Sequence, residues 1–117
     1  MITRVNIQQK EELLHWKTRV EKVKEYVEEH ISEDLHITTV SRKLDFNKFT
    51  LRNIFKEQEH ESYHHYVERK RMEKALELLL EGKWIKEVMA ETGYRHSSTF
   101  NKAFKKRYNN PPGHFRK

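Results

Sequence analysis

Residues Thr50–Glu57 read TLRNIFKE, and residues Thr99–Lys106 read TFNKAFKK. Both run threonine, apolar, two polar, apolar, phenylalanine, lysine, and they lie 49 residues apart in a chain of 117. Apolar positions at i, i+3 and i+4 mark one face of a helix. Leu51, Ile54 and Phe55 therefore point inward in the first stretch, and Phe100 and Phe104 in the second.

The likeness extends upstream. Val40 aligns with Val88, Leu44 with Thr92, Asp45 with Gly93 and Phe46 with Tyr94, all at an offset of 48. Beyond the turn the offset becomes 49, pairing Thr50 with Thr99, Phe55 with Phe104 and Lys56 with Lys105. A slip of one residue at a turn is what a loop tolerates. Each unit is thus a short helix, a tight turn and a second helix: a duplicated helix-turn-helix.

The remainder also reads as helix, because few Gly and Pro punctuate it and no strand-like alternation is sustained. Leu13, Trp16, Val20, Val23 and Val27 form a stripe on a helix from about Lys10 to His30. Short helices are expected at about 37–44 and 85–92, and the second helices at about 47–58 and 97–108. Asn47 and Ser62 are candidate caps. A long helix at about 63–81, spanning ~28 Å, joins the units and stops at Gly82. Met72 and Met89 are expected to fill the cores, and Trp84 to pack at the entry of the second unit. The fold class is all-α, about seven helices. The domain reading is residues 1–19 as an N-terminal extension or linker, 20–62 as the first helix-turn-helix subdomain, 63–82 as the linker helix and 83–117 as the second subdomain.

Charge is placed unevenly. Residues 1–82 carry 15 Lys and Arg against 16 Asp and Glu, whereas residues 83–117 carry nine against two. The formal net charge of +6 points to an anionic partner. With no Cys, disulfides and zinc–thiolate sites are excluded. No apolar run approaches the ~18 residues of a membrane span, and a cytoplasmic protein without a membrane role is expected. No catalytic constellation is evident, so no enzyme activity and no cofactor are expected. His60 and His64 are four apart, but a helix break falls between them, and they read as turn and surface residues rather than metal ligands.

The outward faces of the second helices decide the function. The first shows Lys48, Phe49, Arg52, Asn53 and Lys56. The second shows Ser97, Ser98, Thr99, Asn101, Lys102, Lys105 and Lys106. Arg and Lys donate to guanine, Asn pairs with adenine, and an aromatic ring or methyl group meets the thymine methyl. Lys48, Phe49, Arg52, Asn53, Ser97, Ser98, Thr99, Asn101 and Lys102 are the candidates for base contact. Lys56, Arg95, Lys105, Lys106, Arg107 and Arg116 are the candidates for phosphate contact. The partner expected is double-stranded DNA. A helical protein-interaction module and a non-specific nucleic-acid binder are the alternative readings.

Ile85–Lys117, IKEVMAETGYRHSSTFNKAFKKRYNNPPGHFRK, resembles the signature of the AraC/XylS family of bacterial transcription regulators. The likeness lies in Ile85 and Val88, the Gly93–Tyr94 turn, Phe100, Phe104–Lys105, Tyr108, Pro112 and Phe115–Arg116. Leu44–Lys56 is similar to that family's looser first motif, and Tyr66–Leu79 to its linker helix. The resemblance implies seven helices in two helix-turn-helix subdomains. It also implies promoter activation by a monomer with RNA polymerase as a further partner, or a fragment of a larger regulator with a separate effector domain. Departures from the pattern are Asp45 and Asn109 where Gly is usual, and His36 and Trp84 where a Ser or Thr cap is usual. Both short helices are therefore expected to start weakly.

Overall fold

The long central helix organises the molecule because its two halves serve different cores. In the computed structural model, which describes residues 7–117, the elements are α1 (Ile7–Glu29), α2 (Ile37–Lys43), α3 (Lys48–Glu59), α4 (Tyr63–Leu80), α5 (Ile85–Glu91) and α6 (Ser97–Tyr108). A single 3-10 turn, Pro112–His114, follows, and no strand occurs among the described residues. The expected seventh helix is this one turn. The side chains of residues 7–10 and of Leu13 lie outside the described residues, so the part of the stripe assigned to Leu13 does too.

The first core gathers Trp16, Val20, Val23 and Val27 of α1 with Ile37, Val40, Leu51, Phe55, Tyr63, Tyr66 and Val67. The second gathers Met72, Ala75, Leu78 and Leu79 of α4 with Val88, Phe100 and Phe104. The handover falls between Val67 and Met72. Helix α1 starts three residues earlier than the stripe predicts, and Trp16 on it is buried against Phe46 and beneath Arg19. On α4, Leu78 and Leu79 are buried, while Leu76 is half-buried at the edge of the second core.

The helix ends follow local chemistry. The Asn47 side chain accepts from the amides of Phe49 and Thr50 at 3.0 Å each, and Ser62 accepts from His65 at 3.1 Å. At the end of α4, Gly82 takes φ +89; its amide donates to the Leu79 carbonyl, and the Lys83 amide to that of Leu78. This pair of hydrogen bonds is how a left-handed glycine closes a helix.

One expected weakness is corrected. His36 caps α2 because its imidazole Nδ1 accepts from the Thr38 amide at 3.3 Å, doing what a Ser or Asp oxygen does elsewhere. Trp84, in contrast, gives α5 no side-chain cap. Nor does it pack inward: it is 64% exposed, with the Arg116 guanidinium stacked on its ring at 3.7 Å. At the cap position its side chain leaves the helix axis before the apolar face begins.

Candidate nucleic-acid interface

Helices α2 and α5 have seven residues each, and α3 and α6 twelve each. The turns between them repeat bond for bond. The Phe46 amide donates to the Ser41 carbonyl at 2.7 Å, and the Tyr94 amide to that of Met89 at 2.9 Å. Leu44 to Val40 is matched by Thr92 to Val88, both at 3.0 Å. Past the turn, Leu51 to Asn47 is matched by Phe100 to His96. The offset therefore changes between Tyr94 and His96, and Arg95 is the residue with no counterpart in the first unit. Both second helices end on left-handed residues, His60 at φ +58 and Asn109 at +62.

On α3, Leu51 and Phe55 are fully buried, which turns Phe49, Arg52, Asn53 and Lys56 to solvent. Phe49 is 60% exposed, the Lys48 ammonium lies 5.2 Å and the Arg52 guanidinium 5.9 Å from its ring centre. On α6, burial of Phe100 and Phe104 leaves Ser97, Ser98, Thr99, Asn101, Lys102, Lys105 and Lys106 exposed, and Arg95 is exposed just before it. Helix α6 has no acidic residue. The two phosphate candidates placed differently are Arg107 and Arg116. Arg107 is half-buried, and its Nε is covered without a hydrogen-bond partner. Arg116 donates through Nε to the Lys83 carbonyl at 3.1 Å while it covers Trp84.

Several acidic residues are paired with cations outside these faces, although Glu33, Asp34 and Glu68 stand beside the cleft described below. Lys24 meets Glu59 at 2.7 Å, Lys70 meets Glu28 at 3.1 Å, and Arg69 joins Glu61 at 2.6 Å and Glu73 at 2.8 Å. The Arg69 hydrogen bond holds the Glu61 carboxyl below its ordinary pKa, and the Glu59 bond raises that of Lys24. Among the described residues none of Lys48, Arg52, Lys56, Arg95, Lys102, Lys105 and Lys106 is in an ion pair. Their charge is therefore available to an external anion.

The two units flank an open cleft of about 920 Å³. Arg52 of α3 and Thr99 of α6 both line it, so the two second helices border one groove. Arg95, Arg71, His36, His64 and His96 line it as well. The last four were not singled out from the sequence as belonging to this region. The repeat signals His96, which stands where Asn47 stands; Arg71 carries no such signal, because its partners lie about forty residues away. Burial pulls the Arg71 guanidinium below its ordinary pKa, and two backbone carbonyls satisfy it.

A family model described as a helix-turn-helix domain matches residues 40–117. The chain belongs to the AraC/XylS family. Regulatory protein SoxS of Salmonella typhimurium is 27% identical over 93 residues, covering 79% of this chain and 87% of SoxS. The C-terminal domain of AraT, a response regulator from Geobacillus stearothermophilus, superposes with a TM-score of 0.79 at 32% identity, covering 83% of this chain and 82% of that one. The DNA-binding domain of the global transcriptional factor AdpA, solved in complex with a target DNA, shares the fold at 18% identity, with a TM-score of 0.76 and coverage of 82% and 87%. As an AraC/XylS member the chain is a sequence-specific DNA-binding transcription regulator of bacterial type. No helix among the described residues is long and apolar enough to cross a membrane.

Proposed function

We propose that the chain binds duplex DNA as a monomer, with α3 and α6 entering successive major-groove segments on one side of the duplex, and activates transcription there. The observation that carries this reading is the pair of equivalent helices bordering one cleft, each with an unpaired cationic and amide-bearing face. Helix α4, with 18 residues, is about 27 Å long. Adjacent major-groove segments on one DNA face repeat every ~34 Å. The shortfall is one that modest bending of the duplex toward the protein accommodates.

In this docking Arg52, Asn53, Phe49 and Lys48 read one half of the site. Ser97, Ser98, Thr99, Asn101 and Lys102 read the other. Lys56, Arg95, Lys105 and Lys106 neutralise phosphates. Arg116 contributes through the guanidinium nitrogens that Lys83 leaves free, and Arg107 through its outer edge. The start of α6 has no side-chain cap, so its first amides and the positive end of its dipole are open to the DNA. The AdpA–DNA complex supports docking of this fold on a duplex. The resemblance to the AraC/XylS family is what supports monomeric activation in the cytoplasm, on the nucleoid, with RNA polymerase as the further partner.

Random-site selection followed by a gel-shift assay tests the reading. The expected result is a bipartite motif of ~20 base pairs whose affinity falls steeply with salt. Enrichment of no motif, or a preference for RNA, overturns it.

A further inference from the structure

Arg71 sits on α4 between Val67, the last residue of that helix in the first core, and Met72, the first in the second. Its side chain reaches both units. Nε donates to the Ile31 carbonyl at 3.2 Å and Nη2 to the Glu33 carbonyl at 2.7 Å, in the loop that follows α1. On its other side the guanidinium lies against the turn of the second unit. A Cβ on Gly93 would stand 3.0 Å from Nη2, and the Tyr94 ring centre is 5.9 Å from the guanidinium carbon.

Each unit leans on its own half of α4, and among the described residues no helices of opposite units pack extensively on each other. A single helix is one strut, and it resists twisting between its ends poorly. Arg71 supplies a second strut beside it, from the Ile31–Glu33 carbonyls to the Gly93–Tyr94 turn. A planar fork holds two carbonyl bonds in one fixed geometry with an aromatic ring beside it, whereas an ammonium is a compact point donor on a flexible stem. Gly93 leaves the room that this requires.

We propose that Arg71 is a positioning residue that locks the two helix-turn-helix units at a fixed mutual rotation and thereby sets the spacing at which the halves of the DNA site are read. The consequence for spacing rests on the two-groove docking proposed above. The lock itself does not.

The test therefore has one readout without DNA and one with it. The chain has no native cysteine, so nitroxides at Glu25→Cys on α1 and Lys86→Cys on α5, both exposed, report the distance distribution between units. Arg71→Ala should broaden that distribution by at least about twofold, since the helical strut and the bare approach of Gly93 to the Ile31 carbonyl then join the units without a hydrogen-bonded brace. On DNA, adding two base pairs between half-sites rotates one against the other by ~70°. Wild type should lose about tenfold in affinity and Arg71→Ala less than about threefold, with affinity for an isolated half-site unchanged. Arg71→Lys keeps the charge and the stem but not the fork. It should behave like the alanine variant, and it carries the test if that variant does not fold. Distance widths and spacer preference equal to wild type in a folded variant overturn the lock. A wild type indifferent to spacer length, with broadening still seen in the variants, overturns the two-groove reading and the claim about spacing with it.

Discussion

Asp45 and Gly93 stand at the same point of the two turns, and both are left-handed, with φ +59 and +80. The geometry is identical in kind, but only one of the residues adopts it without cost. An L-residue with a Cβ in this region is strained by about 1–2 kcal/mol, less for Asp than for most. Asp45→Gly should therefore raise stability by up to about 0.5 kcal/mol after the added chain entropy of glycine is subtracted. Gly93→Ala should do the opposite, by about 2 kcal/mol, because a Cβ there also meets the Ile31 carbonyl at 3.2 Å. Urea midpoints of the two variants, read against wild type, check the opposite signs.

The outward residues of α3 and α6 should separate into two classes. Arg52→Ala or Asn101→Ala should cost about 1–3 kcal/mol on the selected site and relax preference in one half only. Lys105→Ala and Lys106→Ala should weaken binding on every sequence and reduce the slope of log K against log salt by about one each. Titrations on specific and scrambled duplexes at several salt concentrations distinguish the two. A uniform loss for Arg52→Ala would move that residue into the phosphate class.

Phe49 combines high exposure with two cations beside its ring. Its truncation removes almost nothing from the core, so Phe49→Ala should change the unfolding free energy by less than about 0.5 kcal/mol. DNA affinity should nevertheless fall severalfold, with the loss concentrated on sites that carry thymine in the half read by α3. Parallel thermal melts and gel shifts show whether stability and binding part in this way.

Glu61 sets a pH dependence whose sign follows from its partners. Arg69 first, then His65, hold its carboxyl below the ordinary value of 4.5 in the folded chain. A depressed acid stabilises the fold fully above its unfolded pKa, and that stabilisation is lost as pH falls through the lower folded value. The Glu61 side chain is 18% exposed, so the effect is on the order of 1 kcal/mol, as for a partly screened pair. Unfolding followed from pH 6 down to 3 should show a steeper acid loss for wild type than for Glu61→Gln.

Much of this architecture is local and therefore legible in the sequence. Helical periodicity locates the inward Leu51, Phe55, Phe100 and Phe104, and with them the outward faces. The caps at Asn47 and Ser62 and the stop at Gly82 depend on neighbours within five residues. The repeat even shows where its own register slips, and the structure narrows that slip to Arg95. What periodicity misreads is set over longer distances. Arg116 looks like a free terminal cation, but its Nε bonds to the Lys83 carbonyl and its plane covers Trp84. Trp84 looks like a core aromatic, and the position just outside α5 turns it to solvent. Arg71 looks like one of many charged residues on a helix surface, because Ile31, Glu33 and Gly93 come to it only after both units have folded.

The ion pairs along α1 and α4 have a consequence for kinetics. They cancel charge on those helices, whereas the exposed cations of α3 and α6 stay outside the ion pairs of the described residues, so the charge of the molecule is distributed less evenly than its net value conveys. In the field of a polyanion such a body experiences a torque before it makes any contact. In the docking proposed above it would arrive with α3 and α6 leading, and fewer encounters would be wasted on its other side.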